Sequence, residues 1–334
     1  MTYRYLTCVA LSLWSLVVFA QQAQIARVSP DYALAVYANH AMEAPAVADA
    51  GIERAVIVVH GARRNAQDYF ETGEHLLAAT QWADASTLLL APGFFTARDR
   101  PAGADLPLWD SRWMQGRPSM QGQVGITPLR ALDDLLAWVS DAKRYPNLKQ
   151  IVLIGHSAGG QLVQRHAVFS QAEQQLAARG IALRYVISSP SSYLYFDDRR
   201  PAGAGFTEEA VAQCPEVNHY RYGLEGLPHF LGKQPTSARE LFQRYASTPI
   251  TYLVGAQDDD PHHRLLDKSC AAQAQGPNRL VRQQRYLAYE QLLGKEWRVP
   301  VQHVHAQVPG AGHSAKAIYA SPVTLKLLET NLTR

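Results

Sequence analysis

The stretch Ile151-Val152-Leu153-Ile154-Gly155-His156-Ser157-Ala158-Gly159-Gly160-Gln161 changes its period halfway. Ile151 to Ile154 is a run of β-favouring apolar residues. Beyond Gly160, the positions Leu162, Val163, His166, Ala167 and Phe169 fall on one helical face. A serine on the turn between such a strand and such a helix stands clear of the backbone, at the strand's carboxyl end. The turn is so sharp that the residues two before and two after the serine must be small, and Gly155 and Gly159 occupy those places. The helix that follows points its free N–H groups and its positive dipole end at the serine. G-x-S-x-G alone is a weak signal. The strand before it, the helix after it and the partners downstream give it weight.

Working outward, the same rhythm recurs. Arg54 to Val59 is an unbroken β-branched run, as in a strand buried on both faces of a parallel sheet, and it ends in His60-Gly61-Ala62-Arg63-Arg64-Asn65. Ala33–Ala38, Thr87–Ala91, Ala182–Ser188, Ile250–Val254 and Val301–Val308 read as further strands. Helical patterns cover Ala66–Thr80, Leu129–Ala142, Arg279–Leu293 and Ala315–Thr330. Strands alternating with helices predict an α/β fold: a mostly parallel central sheet with helices on both faces. Ligands of such sheets bind beyond the carboxyl ends of the strands, where His60-Gly61-Ala62, Ser157, Asp258 and His313 all lie. Between Pro190 and Ser247 the alternation fails, in a stretch rich in Tyr, Phe, Gly and Pro. A structureless loop of that length is unexpected in a compact domain, so residues 190–247 are read as a cap or lid insertion.

A serine hydroxyl becomes a nucleophile through a base within hydrogen-bond reach, and that base is held in the right tautomer by an acid. His313 is the histidine placed for it, on the Gly-rich Val308-Pro-Gly-Ala-Gly-His313 loop between the last strand and the last helix. Gly255-Ala-Gln-Asp258-Asp259-Asp260 offers the acid. Asp258 is favoured and Asp260, ahead of Pro261, is the rival. A metal reading of Asp258 to Asp260 with His262 and His263 matches no ordered loop motif, and no metal is expected. Acyl chemistry also requires donors aimed at a developing oxyanion. These are expected from the backbone N–H groups of Ala158 and Ala62, with Arg63 as the fallback for the second. His60 and His156 read as structural.

Residues 1–20 read as an export signal: Arg4, an apolar run from Leu6 to Ala20, then a small-x-small site at Val18-Phe19-Ala20. That run is shorter than the ~20 residues that span hydrocarbon, and no membrane span is expected in the mature chain. Residues 21–334 are then one catalytic domain, exported to the periplasm or the medium. Without the signal, Cys214 and Cys270 remain, an even number in an exported chain, and they are expected to pair. The closed loop would contribute on the order of 4 kcal/mol in the chain-entropy model. Net charge is +3 with no basic run, which argues against nucleic acid.

The chain resembles the α/β-hydrolase superfamily, of the secreted bacterial serine esterase type. The resemblance rests on the His60-Gly61 loop, the Gly155-His-Ser-Ala-Gly turn, the Gly255-Ala-Gln-Asp258 loop and the Gly312-His313 loop. It covers roughly residues 50 to 330 apart from the insertion, where no subfamily matches. It implies the α/β-hydrolase fold, a Ser157/Asp258/His313 triad, an acyl-serine intermediate and no cofactor. The expected activity is hydrolysis of a small-molecule or polymeric carboxylic ester. Amidase, peptidase or thioesterase chemistry on the same triad is the alternative, and a non-catalytic binding module on the same scaffold is a further one. Trp109 and Trp113, with the aromatic insertion, suggest a hydrophobic or aromatic substrate, and plain core packing is the competing reading of these rings.

Overall fold

A computed structural model of the chain describes residues 22–43, 48–82, 84–103, 105–232, 234 and 237–330. The expected export signal lies outside the described residues. The strands are β1 (Gln24–Ala26), β2 (Leu34–Ala38), β3 (Arg54–Val59), β4 (Thr87–Pro92), β5 (Gln150–His156), β6 (Ala182–Ser188), β7 (Arg200–Ala202), β8 (Gly205–Thr207), β9 (Ile250–Gly255) and β10 (Val304–Val308). The helices are α1 (Ala66–Ala79), α2 (Pro128–Val139), α3 (Ala158–Phe169), α4 (Ala172–Ala177), α5 (Glu209–Gln213), α6 (Ala238–Ser247), α7 (Cys270–Gln273), α8 (Arg279–Trp297), α9 (Ala315–Tyr319) and α10 (Pro322–Thr330).

Eight strands form one sheet in the order β1-β2-β4-β3-β5-β6-β9-β10. Every pairing from β4 to β10 is parallel, and β1 and β2 join antiparallel at one edge. Successive side chains of a strand point to opposite faces. Ala55, Ile57 and Val59 of β3, with Ile151 and Leu153 of β5, therefore enter one apolar core beside α2, α3, α6 and α8. Val56, Val58, Val152 and Ile154 enter the other, beside α1, α9 and α10. The unbroken apolar runs are thus those of strands covered on both sides. This is the α/β-hydrolase architecture expected from the sequence.

Several boundaries differ from expectation: α2 ends at Val139 and not at Ala142, and α8 runs on to Trp297. The last strand begins at Val304, because His303 turns inward to Glu290 of α8 (2.8 Å). The last helical stretch is two helices, α9 and α10, broken at Ser321 ahead of Pro322, a residue favoured at a first helical turn. The insertion carries the β7–β8 hairpin, the short helix α5 and, at its end, α6, which packs on the sheet. Tyr193, Tyr195 and Phe196 are buried against rings of α6, α8 and β9: Tyr193 stacks on Tyr286 at 4.4 Å and Phe196 meets Phe242 edge-on at 5.1 Å. Cys214, at the end of α5, is disulfide-bonded to Cys270, the first residue of α7.

Candidate active site

Ser157 sits between β5 and α3 with φ 59° and ψ −116°, a strained backbone conformation that costs on the order of 1–3 kcal/mol. Its N–H donates to the Ser188 carbonyl of β6 (2.8 Å), and its own carbonyl accepts from Gln161 N–H (3.0 Å). The two flanking glycines are required by contact. A Cβ on Gly155 would lie 2.3 Å from the carbonyl oxygen of Gly159, and one on Gly159 would lie 2.4 Å from that of Val59. The turn therefore closes only with bare backbone at both positions.

His313 Nε2 lies 3.0 Å from Ser157 Oγ, and its Nδ1 lies 2.7 Å from Asp258 Oδ2. The carboxylate only accepts, so Nδ1 carries the proton and Nε2 is free to accept from the serine hydroxyl. The structure thus brings together three side chains spread over 156 positions. The acid and histidine loops are bound backbone to backbone. Gln257 N–H donates to the Ala311 carbonyl (2.9 Å), and a Cβ on Gly255 would lie 2.3 Å from that same oxygen. Asp260, the rival acid, accepts from His262 N–H at 2.8 Å within its own turn and does not reach the imidazole.

Asp258 is 4% exposed, and its other oxygen lies 3.4 Å from Nη1 of Arg279, the first residue of α8. Burial pushes the Asp258 carboxyl up, but the hydrogen bond and charge of His313 and the charge of Arg279 outweigh it and leave it below the usual value. Burial pulls His313 below the ordinary imidazole value, the Asp258 bond opposes this, and Arg279 adds to the lowering. The arrangement therefore presents a neutral imidazole to the serine at neutral pH, backed by an ionised acid.

Ala158 is buried as the first residue of α3. Ala62 lines the same cavity as Ser157 and His313, about 500 Å³ in volume. A Cβ on Gly61 would lie 3.7 Å from Ser157 Cβ, so this loop passes close over the serine. His60 shapes the loop from within the core: its Nε2 accepts from Phe94 N–H (2.9 Å), and burial lowers its pKa to about 4. His156, read from sequence as structural, also lines the cavity; its ring lies 4.6 Å from that of His313. Burial and the neighbouring His313 push its pKa well down.

Trp109 and Trp113 are not brought to this cavity. Trp113 is 0% exposed and stacks on Phe94 at 5.3 Å, while Trp109 is 3% exposed and donates from Nε1 to the Ile126 carbonyl. Both are core residues beneath the His60 loop, which removes the aromatic-substrate argument built on them. No described residue of the insertion lines the Ser157 cavity either. Among the described residues, the one group spaced to hold a metal is Cys214, Glu216 and Cys270, whose two sulfurs are bonded to each other. Sequence reasoning missed Arg279, the place of His263 beside His313 and the contact of His156 with His313. None carries a local signal, because each is defined by which loops converge.

A model of the alpha/beta hydrolase family matches residues 56–323 of the chain. Among solved structures, the chain is similar to poly(aspartic acid) hydrolase-1 from Sphingomonas sp. KT-1, with 19% identity, TM-score 0.59, 90% of this chain and 93% of that one covered. It is also similar to LpqC, a poly(3-hydroxybutyrate) depolymerase from Bordetella parapertussis, with 23% identity, TM-score 0.59, and 90% and 85% covered. At these identities the likeness is one of fold. The chain finds no match among curated protein sequences.

Proposed function

The chain belongs to the alpha/beta hydrolase family, and from that premise we propose that it hydrolyses carboxylic esters through an acyl-serine intermediate. The observation that carries the reading is the continuous hydrogen-bond chain Ser157–His313–Asp258, at 3.0 and 2.7 Å. Ser157 Oγ attacks the acyl carbon while His313 Nε2 takes its proton. The carbonyl oxygen becomes an oxyanion held by backbone N–H groups, Ala158 on one side and Ala62 on the other. On collapse, the C–O bond to the alcohol breaks and His313 passes the proton to the departing oxygen. Water, deprotonated by His313, then attacks the acyl carbon. The acid leaves and the Ser157 hydroxyl is restored. Asp258 holds the imidazole and stabilises its positive charge throughout.

We also place the protein outside the cytoplasm, in the periplasm or the medium. The Cys214–Cys270 bond supports this, since such bonds persist in oxidising compartments.

Ser157→Ala tests the reading. Turnover of short-chain esters is expected to fall by a factor on the order of 10⁶ with the melting temperature preserved. Retained turnover would assign the chemistry to another residue.

A further inference from the structure

Three loops converge on the Ser157 cavity, and each brings a cation that catalysis does not use. Arg63 follows Ala62 at the end of β3. Arg264 follows His263, whose ring lies 5.0 Å from that of His313. Lys316 stands in the first turn of α9, three residues after His313. All three are exposed and line the one cavity, and among the described residues none has a carboxylate within 4.0 Å. Two acids share the cavity wall, Asp68 and Glu71 of α1. Each is held along its own helix: Asp68 accepts from Asn65 Nδ2 (2.6 Å) and Glu71 from Gln67 Nε2 (3.3 Å). The unpaired positive charge therefore gathers on the loops that carry the reacting groups. Two of the three cations flank His313, the residue that hands its proton to the leaving group.

We propose that the preferred substrates are esters whose alcohol part carries a carboxylate, held on the leaving-group side by Arg264 and Lys316. Arg63, beside the oxyanion loop, adds to the attraction from the opposite wall. This rests on the ester-hydrolase reading above. A cleft with an excess of one charge concentrates ligands of the opposite sign, and a guanidinium matches the two oxygens of a carboxylate. Neutral esters reach the same serine without that attraction.

A matched pair of esters tests the proposal: para-(butanoyloxy)benzoate and para-(butanoyloxy)benzamide, assayed on the mature protein. The carboxamide is the more electron-withdrawing substituent, so intrinsic reactivity favours the neutral ester and opposes the expected preference. The anionic ester is expected to show a kcat/KM higher by about tenfold, as for one good charge-assisted contact. The advantage should shrink in about 0.5 M salt. The double variant Arg264→Gln, Lys316→Gln should bring the ratio close to one. A wild-type ratio at or below one, or a ratio unchanged in the double variant, overturns the proposal. So does a preference confined to a carboxylate on the acyl side, read with the para-nitrophenyl monoester of glutaric acid against para-nitrophenyl butanoate. Failure to turn over any of these esters overturns the hydrolase reading itself, and with it this proposal. Equal turnover of both members of the first pair overturns this proposal alone.

Discussion

The carboxyl edge of the sheet and the irregular segments beside it both bury polar groups, but they satisfy them in different ways. At the edge, side chains bond to each other: Ser157 to His313, His313 to Asp258, Asp258 to Arg279. In the insertion and the 256–278 loop, backbone carbonyls without a ladder partner are met by buried arginines. Arg282 donates from Nε to Gly276 (2.8 Å), from Nη2 to Asp267 (2.9 Å) and from Nη1 to Ser191. Arg165 reaches the carbonyl of Arg221 at 2.8 Å, and Arg200 those of Asp197, Arg199 and Val217. A buried carbonyl without a donor costs about 1–3 kcal/mol, so these arginines substitute for secondary structure. In the proposed mechanism the first region moves protons, and the second holds an irregular chain in place. Substitutions at the edge should therefore cost rate, and substitutions in the irregular segments should cost stability.

The sharpest test of that division after Ser157 is Asp258→Asn. It should lower kcat by about 10⁴-fold by disturbing the His313 tautomer, while urea unfolding changes little. Asp260→Asn should stay close to wild type, and a large loss there instead would transfer the acid role. Arg282→Leu should do the opposite. It leaves the buried carbonyls of Ser191 and Gly276 and the half-buried one of Asp267 without donors, and is expected to cost about 3–5 kcal/mol in equilibrium unfolding, with kcat per folded molecule within a few-fold of wild type. A stable Arg282→Leu protein would remove the distinction. The smallest effect is a matter of pH. The proposed mechanism requires neutral His313, whose pKa lies below its ordinary value of 6.5. Activity is then complete above that lowered pKa and is lost as pH falls through it. The acid limb of kcat/KM should lie below 6.5, and a limb above 6.5 would contradict the assignment of the base.

How legible each region was in the sequence follows from the same contrast. β3 and β5 announced themselves because strands covered on both faces must be continuously apolar, and Ser157 was legible because its turn tolerates only glycine two residues away on either side. Gly255 and Gly312-His313 were legible for a related reason: the two loops touch backbone to backbone. Arg279 was invisible, since nothing in the start of a helix tells whether its guanidinium points to water or to a carboxylate 21 residues earlier. The aromatics Trp109, Trp113 and Tyr193 were readable as hydrophobic but not as core or ligand surface. That choice depends on what packs over them, here Phe94 and Tyr286. The insertion was marked by the loss of alternation, but its arginine-held backbone has no period to read.

The central claim is that one hydroxyl, raised on a strained turn and joined to a buried imidazole, is the reacting group. Treating the protein with a fluorophosphonate and mapping the adduct by peptide mass spectrometry tests it directly. The account predicts one adduct per chain, on the peptide containing Ser157, with labelling greatly slowed in His313→Ala. Absence of labelling in an active preparation, or an adduct on another residue, would contradict it.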